Sequence, residues 1–267
     1  MLWYKKIDKE QKMKKVLLVG ETWVSSATHF KGFDQFGSVT FHAGSKRFMK
    51  GMKSCAHDVV HMPAHQAATD FPTTMEDLKE YDVIILSDIG SNTLLLHPDV
   101  WLRGDRVPNR IKLLAKWAEQ GGGLIMIGGY FSFQGIDGKA RWHKTAVETA
   151  LPVNCLSRDD RVEIPEGCIP VVNSPEHPIL AGIEGEWPYL LGVNEVIPKT
   201  TEDTEIILSL SEEHRHLPLL VTGVYGKGRT VCWTSDMSEH WLPPAFLAWD
   251  GYDKLFGNMV AWASGKS

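Results

Sequence analysis

An α/β fold with a mostly parallel central sheet is predicted by three unbroken apolar runs, by the helical pattern before the last of them, and by the short links that join the elements. Val16-Leu17-Leu18-Val19, Val83-Ile84-Ile85-Leu86 and Leu124-Ile125-Met126-Ile127 show no polar alternation, as expected of strands buried on both faces. Before the third run, Pro108 suits a first helical turn. Ile111, Leu114, Ala115 and Ala118 follow at helical spacing, and Gly121 ends the helix. Strands alternating with helices in this way require right-handed crossovers, and hence a parallel sheet.

In chain order, the first strand covers Lys15 to Gly20. A polar, glycine-containing stretch follows, then a helix over Lys46 to Cys55 and a strand from Asp58 to Pro63. Thr74 to Tyr81 reads as a short helix with Thr at its cap and acids in its first turn. Asp82 to Asp88 is the clearest strand, Val107 to Gln120 the clearest helix, and Leu124 to Ile127 the strand before a Gly-rich turn. The second half differs. Short strands are predicted near Val162-Glu163-Ile164, Ile169 to Val172 and Glu205 to Leu208, then a hairpin from Leu217 to Thr234 turning at Gly226-Lys227-Gly228. A final amphipathic helix spans Tyr252 to Ala263.

With 267 residues, 43% of them hydrophobic and 23% charged, the chain suits one elaborated domain over 14–267. Residues 1–13, rich in lysine, are expected to be extended or frayed. The net charge of -5 and the lack of a Lys/Arg run interleaved with aromatics argue against a nucleic-acid partner. No stretch approaches the ~18 apolar residues of a membrane span, and no secretory signal is evident. Cys55, Cys155, Cys168 and Cys232 lie far apart with no C-x-x-C pair, so reduced thiols in a cytoplasmic protein are expected. No cofactor is predicted: Gly226-Lys227-Gly228-Arg229 has no helix after it and reads as a hairpin turn, not a phosphate loop.

Ligands of open parallel sheets gather beyond the carboxyl ends of the strands. That rule selects Glu21 and Trp23 after the first strand and His61 and His65 after the second. It selects Asp88 after the third, Gly129, Tyr130 and Ser132 after the fourth, and Asp236 to Trp241 after the hairpin. In Gly128-Gly129-Tyr130-Phe131-Ser132 the turn either holds Tyr130 or Ser132 as a reacting group, with its amides as an oxyanion site, or is structural. Ser132 lacks the flanking glycines of G-x-S-x-G. His57, His61 and His65 recur every four residues, but Val59-Val60 and Pro63 break a helical alignment and with it a metal face. In Ser235-Asp236-Met237-Ser238-Glu239-His240-Trp241, His240 beside Asp236 and Glu239 is an acid/base candidate, or Asp236 caps a turn. His177, set between prolines, reads as structural.

These segments, from Lys14 to the C-terminus, resemble in their order the class I glutamine amidotransferase-like superfamily, in its putative glutamine amidotransferase branch with ThuA-like, trehalose-utilisation proteins as neighbours. The resemblance implies a flavodoxin-like three-layer sandwich with additional β elements in the second half. It also implies a Cys at the tip of the strand-to-helix elbow, supported by a His and a Glu in a His-Pro-Glu setting. Here Tyr130 stands at the tip and the late cluster is Ser238-Glu239-His240. A phenol with a pKa near 10 is a poor substitute for a thiolate. The chain is therefore expected to lack glutaminase activity and to bind a small polar ligand, or a partner protein, through Glu21, Trp23, Asp88, Gly129, Tyr130 and Trp241. The alternative, implied by the ThuA-like resemblance, is an enzyme acting on a carbohydrate-like substrate. His240 is then the general base, Asp236 or Glu239 its orienter, with metal assistance from His61 or His65. A third option is a homo-oligomer joined through the Trp-rich C-terminal segment around Trp241 and Trp249.

Overall fold

The computed structural model describes residues 13–265. The frayed segment expected over 1–13 therefore lies, but for Met13, outside the described residues. In chain order the strands are β1 (Lys14–Gly20), β2 (Thr22–Lys31), β3 (Asp34–Ala43), β4 (His57–Met62), β5 (Val83–Ser87), β6 (Gly123–Ile127) and β7 (Val153–Cys155). They continue with β8 (Arg161–Cys168), β9 (Val171–Val172), β10 (Leu190–Asn194), β11 (Val196–Pro198), β12 (Glu205–Ser209), β13 (Pro218–Tyr225) and β14 (Gly228–Trp233).

One eight-stranded sheet runs β4-β1-β5-β6-β14-β13-β12-β9. Its first five strands are parallel, and β13, β12 and β9 continue it antiparallel. The parallel part has the flavodoxin-like order, with the second strand outside the first and the third, fourth and fifth following on the other side. The chain reverses direction across the sheet between β1 and β5, and a crevice opens beyond their ends.

Successive side chains of each parallel strand enter opposite layers. Val16 and Leu18 pack with Phe48, Met52 and Phe256 beside the helices Lys46–Ser54 and Gly251–Ala263. Leu17 and Val19 pack on the other face with Leu114 and Ala115 of the helix Arg110–Glu119. Both faces are covered, which is why these strands carry no polar alternation. Asn109 caps the Arg110–Glu119 helix, accepting the Lys112 N–H at 3.0 Å, and Thr74 caps Met75–Leu78.

Two expectations fail. The polar stretch after β1 is a β-ribbon, β2 paired with β3 over ten residue pairs. Its strand pattern is obscured because nearly every side chain on both faces is exposed, so no inward face contrasts with an outward one. The Gly-rich turn after β6 leads into no helix; residues 128–135 form a bent loop before a single 3-10 turn at Ile136–Gly138. The small sheets β8–β10 and β7–β11 supply the additional β elements of the second half.

Candidate functional site

Beyond the ends of β1, β5, β6 and β14 lies a cavity of about 430 Å³. Its lining includes Glu21, Asp88, Tyr130, Asp236, Glu239 and His240, with Trp23 and Val24 from the base of the ribbon. Thus seven of the sequence-predicted site residues converge, from segments more than 200 positions apart. Gly129, Ser132 and Trp241 are not among the lining residues.

Three of the lining residues sit in the left-handed backbone region, Glu21 at φ 56°, Asp88 at φ 44° and His240 at φ 111°. Non-glycine residues are uncommon there, and each such placement costs of order 1–3 kcal/mol. Such strain clusters at functional sites, and here it falls at three separate strand ends around one cavity.

The floor is acidic. Glu21 is fully buried; its Oε1 accepts the Ser87 hydroxyl at 2.6 Å. Burial, then the Asp88 carboxylate, push the Glu21 carboxyl up to about 8, so at neutral pH it is mostly protonated. Asp236 is raised well above the usual carboxylate range by burial and then by Glu21 and Asp88. Burial also raises Asp88, while the Phe131 amide and His240 pull the other way. Asp236 Oδ1 accepts the amides of Met237 and Ser238 at 2.7 and 3.1 Å. Asp236 therefore caps a turn, one of its two sequence readings, and also lines the cavity.

The rim is aromatic. The Tyr130 ring meets His240 edge-on at 4.4 Å, and the Arg161 guanidinium lies 4.9 Å from the centroid of the same ring. Glu163 of β8 joins these groups. It accepts the Tyr130 hydroxyl at 3.3 Å and the Trp241 indole N–H at 3.0 Å, and its Oε2 lies 4.0 Å from His240 Nε2. Nothing in the local sequence marks Glu163 or Arg161, because they reach the site only through the β8–β10 pairing.

Most backbone amides of the turn after β6 are already engaged. Gly129 donates its N–H to Asn194 Oδ1 at 2.9 Å, and Asn194 Nδ2 donates back to the Gly129 carbonyl at 3.2 Å. The Phe131 amide donates to Asp88 Oδ1 at 2.7 Å, and the Gln134 and Gly135 amides to Asp160 at 2.7 and 2.9 Å. A nucleophile elbow needs such amides free. Ser132 is buried; its hydroxyl donates to the Ile127 carbonyl and accepts the Asp88 N–H. It holds Asp88 in its strained conformation. Ser132→Ala should cost about 1–3 kcal/mol by leaving that amide without an acceptor. Chemical denaturation would measure it, and an unchanged midpoint would remove this role.

Trp241 has no exposed surface and Trp249 packs on Trp187 at 4.7 Å, so these two rings are largely taken up within the chain. His61 has both ring nitrogens engaged, by Ser45 Oγ at 3.2 Å and the Gly20 carbonyl at 2.9 Å. His65 packs edge-on against Phe41, and His177 accepts the Ile179 amide, as a structural residue would. Among the described residues no three His, Cys, Asp or Glu side chains are grouped to hold a metal ion.

The model of the putative glutamine amidotransferase family matches residues 15–265. The chain belongs to this family. It is similar to two solved structures from Salmonella typhimurium. The cytoplasmic protein STM3548 is 38% identical, with a TM-score of 0.88 over 94% of this chain and 99% of that one. The cytoplasmic protein STM1381 is 41% identical, with a TM-score of 0.87 over 93% and 99%. A putative ThuA-like protein from Bacteroides uniformis, 14% identical with a TM-score of 0.57 over 98% and 97%, shares the fold. No curated protein matches the chain. Within this amidotransferase-like fold, the described cavity lining contains no cysteine: Cys155, Cys168 and Cys232 are buried in the packed layers and Cys55 contacts Asp253.

Proposed function

We propose that this family member is a cytoplasmic binding protein for a small neutral or cationic molecule bearing hydroxyl or amine groups, and that it does not hydrolyse glutamine. One observation carries the reading: four carboxyl groups and an aromatic rim enclose the cavity, with no thiol, lysine or arginine among its described lining residues. Protonated Glu21 can donate to a hydroxyl oxygen as well as accept from one, and the rings of Trp23 and Tyr130 offer faces to C–H groups or to a cation. The α-carboxylate of an amino acid such as glutamine would meet acids, with no lysine or arginine among the described lining residues. The cytoplasmic assignment is supported by the names of the two Salmonella proteins and by four free thiols.

Thermal-shift titration with polyols, sugars, amines and amino acids tests the reading. Stabilisation by polyols, sugars or amines is expected, and none by glutamine or by anions. Ammonia release from glutamine that Tyr130→Phe abolishes would overturn it.

The geometry favours a second reading at one point, an enzyme acting on a carbohydrate-like substrate. His240 faces the cavity with a carboxylate close to its ring, as a general base would need. The orienting acid is then Glu163, not Asp236, whose Oδ1 is engaged by its own turn. Turnover that is lost in His240→Gln while ligand affinity stays would favour this reading over simple binding.

A further inference from the structure

The β2–β3 ribbon is the least supported part of the chain. At about 3.4 Å per residue its ten-residue strands extend roughly 30 Å. Its attachments lie at the base, where Thr22 accepts the Ala64 amide at 2.8 Å and Phe41 meets His65. A two-stranded ribbon alone in water is at best marginally stable, and among the described residues neither of its edges has a strand partner.

Its two faces differ. Directly opposed residues of an antiparallel pair share a face. One face therefore carries Trp23 with His42, His29 with Phe36 and Lys31 with Asp34. Its aromatics are already covered in part, since Trp23 stacks on His42 at 5.0 Å and Phe36 on His29 at 4.6 Å. The other face pairs Val24 with Phe41, Ser26 with Val39, Thr28 with Gly37 and Phe30 with Gln35. It holds no charged residue, and its apolar side chains stand in water: Val24 is 61% exposed, Phe30 72%, Val39 72% and Phe41 53%.

We propose that this uncharged face is the contact through which two copies of the chain form a dimer. Aromatic side chains carry about 150–250 Å² each, so the exposed parts of Phe30 and Phe41, with Val24, Val39 and the polar spacers between them, supply the greater part of the ~800 Å² per partner of a standard interface. A partner that comes and goes would leave the face in water for part of the chain's life. A second copy is present whenever the chain is. A two-fold axis brings the same face from each copy together, sheet on sheet at about 10 Å, with uncharged residues on both sides. Because Trp23 and Val24 sit at the ribbon base, the dimer also steadies one wall of the cavity.

Light scattering on the full chain at micromolar concentration tests this. The wild type is expected at twice the monomer mass, and Phe30→Ser with Val39→Asp at the monomer mass, with far-UV circular dichroism retained. If the double variant does not fold, replacing residues 26–39 by an Asn-Gly turn decides, because it closes the ribbon at the Ser25–Thr40 pair, in the same register as the present two-residue turn, and leaves the sheet intact. A monomeric wild type overturns the proposal. So does a shortened chain that still dimerises.

Discussion

Glu21→Gln is expected to make the protein more stable in mild alkali, by about 3–5 kcal/mol near pH 8–9. The ordinary glutamate value of 4.5 applies in the unfolded chain, whereas burial holds the folded carboxyl at about 8. Between those values the folded state keeps a proton that the unfolded state has released. Stability from this group is therefore complete below about pH 4.5 and lost as the pH rises through about 8. Gln has the same shape, can accept the Ser87 hydroxyl, and has no proton to lose. Asp88 and Asp236 are raised in the same direction, so the variant should keep a shallower decline of its own. Denaturant unfolding from about pH 5 to about pH 9 measures both slopes. Parallel slopes for wild type and variant would show that Glu21 is ionised in the folded protein, and the protonated floor would have to be abandoned.

Gly128→Ala should destabilise the fold by about 3 kcal/mol, the upper range for overpacking. A Cβ at this position would lie 2.2 Å from the Thr234 carbonyl oxygen and 2.6 Å from that of Ser235. Both are backbone atoms just beyond β14, held where the Gly128 N–H meets the Trp233 carbonyl at 2.8 Å. Relief requires the ends of β6 and β14 to part, which would open the cavity floor. Gly44→Ala is the informative comparison. Its Cβ would meet only the Glu21 carboxylate and Ser238 hydroxyl, at 2.6 and 2.8 Å, and side-chain ends can move. In a protein of this size ~3 kcal/mol lowers the melting temperature by roughly 6–12 °C. A Gly128 variant that melts with the wild type, or above the Gly44 variant, would mean that the strand ends are loosely joined.

The two faces of the sheet explain how much of the fold was legible. Val16 to Val19, Val83 to Leu86 and Leu124 to Ile127 are apolar on both sides because helices cover both sides. Their links give the strand order and, with it, the edge where Glu21, Asp88, Tyr130 and Asp236 to His240 gather. That reasoning is local and needs no partner outside the segment. The ribbon had no such signature, since a strand exposed on both faces lacks a buried side to pattern. Nor did Glu163 and Asn194, which act on the turn after β6 through strands far along the chain.

What the order of residues determined by itself is the layered sheet, the edge that carries the cavity, and a tyrosine in the turn after β6. Burial settled everything electrostatic: the protonated state of Glu21, the engagement of the Gly129 and Phe131 amides, and the withdrawal of Ser132 and Trp241 from the cavity wall. The reason is physical. Desolvation and hydrogen-bond partnership belong to neighbours in space, and for Glu21, Gly129, Phe131 and Trp241 the hydrogen-bond partners lie between 43 and 78 positions away.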